Sequence, residues 1–120
     1  MAFHVCEKKN GGHKSHLTAC TIGVDRFYPN ILARETFDIV PGQFIKVYYD
    51  PENDIVGFEI IPKRLADENS TKIGVDCGVR HLRLIEDKLF KHKLTDVRGT
   101  YKLYKENDSC LIKMDLKKKL

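Results

Sequence analysis

Cysteine and histidine, the residue types that bind zinc, are concentrated near the start of the chain. Cys6, His13, His16 and Cys20 are separated by six, two and three intervening residues, and two thiolates with two imidazoles form a common tetrahedral zinc set. The spacing matches no standard zinc finger, and the sequence has no Cys-x-x-Cys pair. Two interpretations remain, a zinc-binding loop or a solvated arm with incidental histidines, and we favour the arm and predict no metal site.

Support for catalysis is weaker. Cys77 precedes Arg80 and His81, and cationic neighbours lower the pKa of a thiol. Neighbours in sequence need not meet in space, however, and a small buried cysteine at the end of a strand is the commoner case. We find no phosphate-binding loop and no dinucleotide fingerprint, and we predict a protein that is not an enzyme and needs no cofactor.

Acidic residues cluster in two short polar segments. They are Asp50, Glu52, Asp54, Glu106 and Asp108. Turns favour Asp and Asn because these side chains hydrogen-bond the local backbone. These acids therefore indicate hairpin tips rather than paired catalytic carboxylates.

Basic residues are the strongest chemical signal. Residues 1–62 carry six Lys and Arg against eight Asp and Glu, whereas residues 63–120 carry fifteen against nine. The stretch around a predicted second helix is especially basic, and Tyr101 and Tyr104 follow it: Arg80, His81, Arg83, Lys88, Lys91, His92, Lys93 and Arg98. Such a patch neutralises phosphates and gives sequence-independent affinity for nucleic acid. A solvated face with an inert Lys117–Lys119 tail is the alternative.

The elements that must position these residues are two similar hairpins. Gln43–Ile61 and Gly99–Lys117 match without a gap at an offset of fifty-six residues, each with alternating apolar residues on both sides of a polar turn. Ile-Gly-Val-Asp at residues 22–25 recurs at residues 73–76, so the second copy has a five-residue insertion. A lone hairpin is marginally stable in water. We therefore expect the copies to pack together as a pseudo-symmetric pair.

The pattern predicts one mainly β domain with short helices, in which two strand–helix–hairpin repeats form one small barrel. We assign residues 1–20 to a basic arm, 21–62 to the first repeat, 63–71 to a linker and 72–120 to the second repeat with its basic tail. Asn30 is a candidate N-cap for a helix over Ile31–Phe37, and Leu82–His92 has the periodicity of a longer helix. Without a signal peptide or a membrane-spanning apolar run, the sequence predicts a cytoplasmic protein.

The order strand, Arg-bearing turn, short helix, glycine turn and hairpin resembles the swapped-hairpin domain of the AbrB and SpoVT-like transition-state regulators, here internally duplicated. The stretch that carries the resemblance is Asp25–Val47. In that family two chains interlock into one small barrel, and arginines near the strand–helix turn contact DNA. The resemblance implies that Arg26 and Arg34 have this role in the first copy and Arg80 and Arg83 in the second. Asp25 stands where the family prefers glycine.

Together these observations predict a nucleic-acid-binding module, a small regulator of double-stranded DNA from a virus or mobile element. The predicted phosphate contacts are Arg26, Arg34, Arg80, Arg83, Lys88 and Lys91. The alternative is a protein-interaction module, an inhibitor or adaptor that uses hairpin edges or the acidic first copy on a rigid barrel. A homodimer that exchanges hairpins is compatible with either prediction.

Overall fold

A computed structural model describes residues 17–120, except for the side chains of Leu82 and Arg83. Eight strands form one antiparallel sheet. The strands are β1 (Ala19–Ile22), β2 (Arg26–Pro29), β3 (Phe44–Asp50), β4 (Ile55–Ile61), β5 (Ser70–Lys72), β6 (Val79–Arg80), β7 (Gly99–Lys105) and β8 (Ile112–Lys119). The helices are α1 (Ile31–Thr36), α2 (Leu82–Ile85) and α3 (Leu94–Val97), and one 3₁₀ turn covers Lys63–Leu65. Within this described part, no helix has the length and hydropathy needed to cross a bilayer.

The sheet curls into a nearly closed barrel. Its strand order is β5-β3-β4-β8-β7-β1-β2-β6, so the two edge strands, β5 and β6, are consecutive in the chain. The loop between them is held by backbone hydrogen bonds, from Ile73 N–H to the Gln43 oxygen at 2.8 Å and from Gly74 N–H to the Gly78 oxygen at 3.0 Å. A nearly closed sheet leaves little unpaired edge for association with other chains.

The barrel interior is the hydrophobic core. Alternate residues point inward, and in β7 this buries Tyr101 and Leu103 while Lys102 between them is exposed. Phe27 of β2 and Phe58 of β4 meet edge to face with ring centroids 5.0 Å apart. Both rings belong to the first predicted repeat, and they share one core cluster with Leu103 and Met114 of the second.

The two predicted hairpins lie in one sheet and pair directly through β4 and β8. Val56 is opposite Met114 and Phe58 is opposite Ile112, with Gly57 opposite Lys113 between them. The shorter strands continue this interlocking, because β1 pairs with β7 and β3 pairs with β5. The mainly β prediction is therefore confirmed, and the strand order gives one barrel.

The hairpins differ in one respect. The β3–β4 register is uninterrupted from Phe44 opposite Ile61 to Asp50 opposite Ile55. The β7–β8 register shifts, because Leu103 is opposite Met114 but Tyr101 is opposite Lys119. β8 therefore has an irregular, bulged stretch between Met114 and Lys119, and the lysines predicted as a tail are its last strand residues.

The first helix is confirmed and the second is wrong beyond its first turn. Asn30 caps α1, because its Oδ1 accepts the Ala33 N–H at 2.8 Å. The predicted helix Leu82–His92 ends at Ile85, where Asp87 forms a tight turn by accepting the Leu89 N–H at 2.8 Å. The strand β5 likewise begins inside the segment predicted as a linker.

Candidate functional site

The strand register brings two of the predicted arginines together. β2 pairs with β6 so that Arg26 is directly opposite Arg80, and Phe27 is opposite Val79. Phe27 and Val79 are buried, which fixes this register, since a one-residue slip would turn both apolar side chains outward. Like charges in directly opposite positions destabilise a sheet. An unfavourable cationic pair is thus built into the place where the barrel nearly closes.

Carboxylates offset the charge of only one member of this pair. Arg26 is half-buried, its Nε lies 3.5 Å from Asp25 and its Nη1 lies 3.4 Å from Asp76. Both aspartates come from the repeated Ile-Gly-Val-Asp turns. Arg80 is exposed and has no ion pair among the described residues. Of the two, Arg80 is the arginine able to bind an external anion.

Arg34 is not part of this pair. Arg34 lies half-buried in α1, and its Nε is buried without a hydrogen-bond partner. The side chain of Arg83 is outside the described residues. The backbone places Arg83 in α2, directly after the β2–β6 pair.

Lys88 and Lys91 are exposed in the turns that follow α2. Lys91 adjoins residues that contact the β3–β4 tip, because Phe90 packs edge to face on Tyr49 at 5.2 Å. This nonlocal contact explains why the chain leaves the helical path after Ile85. The predicted phosphate-binding residues therefore do not form one group. Arg26 and Arg80 are paired, whereas Lys88 and Lys91 lie in the segment that runs from α2 to the first hairpin.

A buried carboxylate at the β3–β4 turn binds the segment that follows α2. Asp54, which is 7% exposed, accepts the Tyr49 hydroxyl at 2.5 Å and lies 2.7 Å from His92 Nε2. Its backbone oxygen accepts the Leu116 N–H at 3.0 Å. Asp54 therefore joins three segments of the barrel. The sequence predicted Asp54 at a hairpin tip, and its place in the turn before β4 and its positive φ of 56° agree, but its side chain is buried.

Burial would raise the pKa of Asp54, but hydrogen bonds from Tyr49 and His92 outweigh burial, so this pKa lies below its ordinary value. Burial, followed by the hydrogen bond to Asp54, raises the pKa of Tyr49 to about 12. The phenol therefore stays protonated and remains a donor at neutral pH. The arrangement suits a structural network, since Asp54 is shielded from solvent by its own partners.

Two of the cysteines singled out by the sequence, Cys20 and Cys77, are buried. Cys20 lies in β1 among core residues, and burial raises the pKa of its thiol to about 12. The other members of the predicted zinc cluster, Cys6, His13 and His16, lie outside the described residues. Within residues 17–120, no group of three metal-binding side chains comes together.

Cys77 is buried in the turn before β6, at a positive φ of 61°. His81 is 2% exposed, its Nε2 lies 3.2 Å from the Gly23 oxygen, and its ring packs edge to face on Phe27. These contacts connect His81 to the β1–β2 turn and to the core. The geometry gives His81 a packing role.

A cleft on the outer face of β7 and β8 was not anticipated. It has a volume of about 340 Å³ and is lined by Lys102, Tyr104, Asp115 and Lys118. The gapless match between the two hairpins concealed the bulge that forms it. Tyr101, predicted to accompany the basic residues on an accessible strand, is 1% exposed and donates its hydroxyl to the Val97 oxygen at 2.6 Å. Tyr104 is therefore the accessible tyrosine of this strand.

The barrel interior offers no comparable space. Its apolar cavity measures about 20 Å³ and is lined by core residues such as Cys20, Phe27 and Phe58. A volume of this size holds about one water molecule. This cavity is therefore too small for an organic ligand. No protein-family model, curated protein or solved structure matched the chain, so the resemblance to the AbrB and SpoVT-like domain rests on the quoted residues alone.

Proposed function

We propose that the chain is a nucleic-acid-binding module, a small cytoplasmic regulator of double-stranded DNA. The single observation that carries the proposal is the cross-strand pairing of Arg26 with Arg80. Arg26 is already paired with Asp25 and Asp76, so the exposed Arg80 beside it is the charge that a phosphate group would neutralise. The excess of fifteen basic over nine acidic residues in positions 63–120 would strengthen attraction to the phosphate backbone.

The proposal includes an internal duplication, and the strand registers support it. Tyr101 is opposite Cys20, and the residues fifty-six and fifty-one positions away, Ile45 and Thr71, are also opposite each other. The equivalences Thr21 with Thr100 and Lys72 with Phe44 follow the same offsets. Exchange of β1–β4 for β5–β8 also leaves the cyclic strand order unchanged. A pseudo-twofold axis through Gly57 and Lys113 would account for these relations.

Such an axis would explain why each repeat contributes one arginine to the pair. In the related regulators two chains supply equivalent arginines, and in a duplicated chain each repeat would supply one. Arg83 and Arg34, on the helices after β6 and β2, would extend the contact along the duplex. Lys88 and Lys91 would add phosphate contacts from the segment that follows α2.

Fluorescence anisotropy with a labelled DNA duplex tests the proposal. We expect binding at about 50 mM salt whose logarithmic salt dependence has a slope of about −0.9 for each phosphate contact. Arg80→Ala combined with Arg83→Ala should weaken binding and reduce the magnitude of that slope by about 2. The control is Lys63→Ala combined with Lys72→Ala, which removes two exposed charges elsewhere. No duplex binding at about 50 mM salt, or equal losses in both variants, would contradict the proposal.

A protein-interaction module is the second candidate, and two exposed valines favour it. Val24 and Val75 occupy the same place in the repeated Ile-Gly-Val-Asp turns and are 67% and 96% exposed. Arg26 binds an aspartate of each turn, so the two valines lie on neighbouring turns, and an exposed apolar patch marks a docking surface. If duplex binding fails, a pull-down with the wild-type protein should recover a partner that is lost from the Val24→Ser, Val75→Ser variant.

A further inference from the structure

We propose that the cleft on the outer face of the second hairpin binds single-stranded nucleic acid, with Lys102 and Lys118 on a phosphate and Tyr104 stacked on a base. This site is separate from the arginine pair, and the inference does not depend on duplex binding. It rests on four lining residues, on the bulge that places them and on a comparison with the first hairpin.

The bulge creates the cleft. Between the pairs Leu103–Met114 and Tyr101–Lys119, β7 advances two residues while β8 advances five. The extra residues of β8 carry Asp115 and Lys118 outward beside Lys102. Bulges of this kind redirect side chains and are enriched at functional sites. The uninterrupted first hairpin shows that a bulge is not required for the hairpin to join the barrel.

The basic groups of the cleft are available to a ligand. Asp115 is occupied, because its Oδ1 lies 3.1 Å from Lys117 Nζ and accepts the Lys117 N–H at 2.9 Å. Across residues 17–120, the ammonium groups of Lys102 and Lys118 and the Tyr104 hydroxyl have no hydrogen-bond or ion-pair partner. Two ammonium groups without an ion pair therefore line the cleft together with the carboxylate of Asp115, and the two lysines could hold a phosphate on their side of it.

The first hairpin contains the same residue types at the matching positions but keeps them occupied. Lys46, fifty-six residues before Lys102, binds Asp67 at 2.9 Å. Tyr48, fifty-six residues before Tyr104, donates its hydroxyl to Glu59 at 2.9 Å. In the first hairpin, the lysine and the tyrosine each have a carboxylate partner within the protein. In the second hairpin, the equivalent Lys102 and Tyr104 side chains have none and line the cleft.

The dimensions and chemistry of the cleft favour one nucleotide of a single strand. Its volume of about 340 Å³ falls in the range of small-ligand sites. Single strands present unstacked bases, and proteins bind them with aromatic platforms flanked by cations. The bases of a duplex are stacked on each other, so Tyr104 could not stack on them without unpairing the helix.

Anisotropy titration of labelled oligothymidylate, on the order of ten nucleotides long, tests the site. Lys102→Ala with Lys118→Ala should weaken binding roughly tenfold or more and reduce the magnitude of the salt slope by about 0.7, because both lysines contact one phosphate. Tyr104→Ala should weaken binding about fivefold to a hundredfold, whereas Tyr104→Phe should retain it because the ring is kept. Thermal unfolding of every variant verifies that the barrel remains folded.

The first hairpin supplies matched controls. Lys46→Ala with Lys63→Ala removes the same charge, and Tyr48→Ala removes the equivalent ring, so both should leave oligothymidylate affinity within about twofold of wild type. Equal losses in the two double-lysine variants, or an unchanged affinity of Tyr104→Phe and Tyr104→Ala alike, would overturn the inference. Displacement by inorganic phosphate at the same concentration as the strand would also overturn it, since the site would then select a small anion. Duplex affinity that is unchanged by Tyr104→Ala would support two separate sites.

Discussion

Asp54 is the residue whose role differs most from its sequence setting. Asp54→Asn removes the charge that holds Tyr49 and His92, and we expect a loss of about 1–3 kcal/mol in the free energy of unfolding. Because the folded-state pKa lies below the ordinary 3.8, ionised Asp54 stabilises the barrel above that pH. The contribution disappears as the pH falls through the lowered pKa. Urea unfolding between about pH 7 and pH 2 measures both effects.

The variant and the wild type should therefore converge in acid. Asp50 and Asp67 also have lowered pKa values, through hydrogen bonds from Asn53 and Lys46, so part of the acid dependence should persist in Asp54→Asn. Tyr49→Phe is the matched control, because it removes one hydrogen bond and keeps the ring contact with Phe90. Identical acid dependence in wild type and Asp54→Asn would show that the carboxylate is not linked to folding.

Arg34 offers a second test at the scale of one side chain. Its Nε is buried without a partner, and an unsatisfied buried donor costs about 1–3 kcal/mol. Arg34→Met keeps most of the apolar stem, so we expect the free energy of unfolding to stay the same or rise by about 1 kcal/mol. Thermal unfolding measures the effect of this substitution on stability, and duplex titration measures its effect on DNA binding. A loss of stability above about 1 kcal/mol would show that the guanidinium has a stabilising contact in solution.

At the scale of elements, the sequence correctly predicted those helices and strands that are determined by neighbouring residues. Asn30 identified the start of α1 because an N-cap acts within three residues. The alternating patterns located both hairpins, since apolar periodicity records which face is buried. The longer second helix was wrong because Phe90 packs on Tyr49, forty-one positions earlier, and periodicity carries no information about such a contact.

Two glycines in the hairpins provide a prediction about elements. Gly99 begins β7 at a φ of 144°, and a Cβ there would lie 2.7 Å from the Lys119 Cε. Gly99→Ala should therefore destabilise the barrel by about 1–3 kcal/mol, through backbone strain at the bulged end of the hairpin. Gly57→Ala is the control, because its Cβ would meet Leu111 at an ordinary 3.6 Å. Chemical unfolding should give Gly99→Ala a clearly lower free energy of unfolding than Gly57→Ala. A lower value for Gly57→Ala would exclude strain at Gly99.

At the scale of the molecule, the repeat predicted which segments would resemble each other and that they would meet in one sheet. It did not predict the pairing of Arg26 with Arg80, because β2 and β6 are too short to show a register in sequence. It also did not predict the cleft, since a gapless match assumes the same register in both hairpins. The register of the arginine pair and the irregular strand pairing at the cleft were therefore not predicted by the repeat, and these two features carry the proposed binding sites.

The pairing of the halves leads to a prediction about the whole chain. β4–β8, β1–β7, β3–β5 and β2–β6 all join one half to the other, so neither half has a complete sheet of its own. Fragments 1–66 and 67–120, produced separately and mixed, should regain the circular dichroism of the intact protein. Breaking the chain in the exposed linker removes few contacts, which should make reassembly favourable.

Fragment 1–66 alone tests the duplication itself. If the halves are equivalent, a second copy of β1 should pair with β3 in place of β5, and two copies of β4 should pair around Gly57. We therefore expect a homodimer by light scattering, with a melting temperature that rises with concentration. The mixed fragments control for solubility and foldability. A fragment that stays unfolded while the mixture reassembles would mean that the halves are complementary without being equivalent, and a folded monomer would contradict the interlocked barrel.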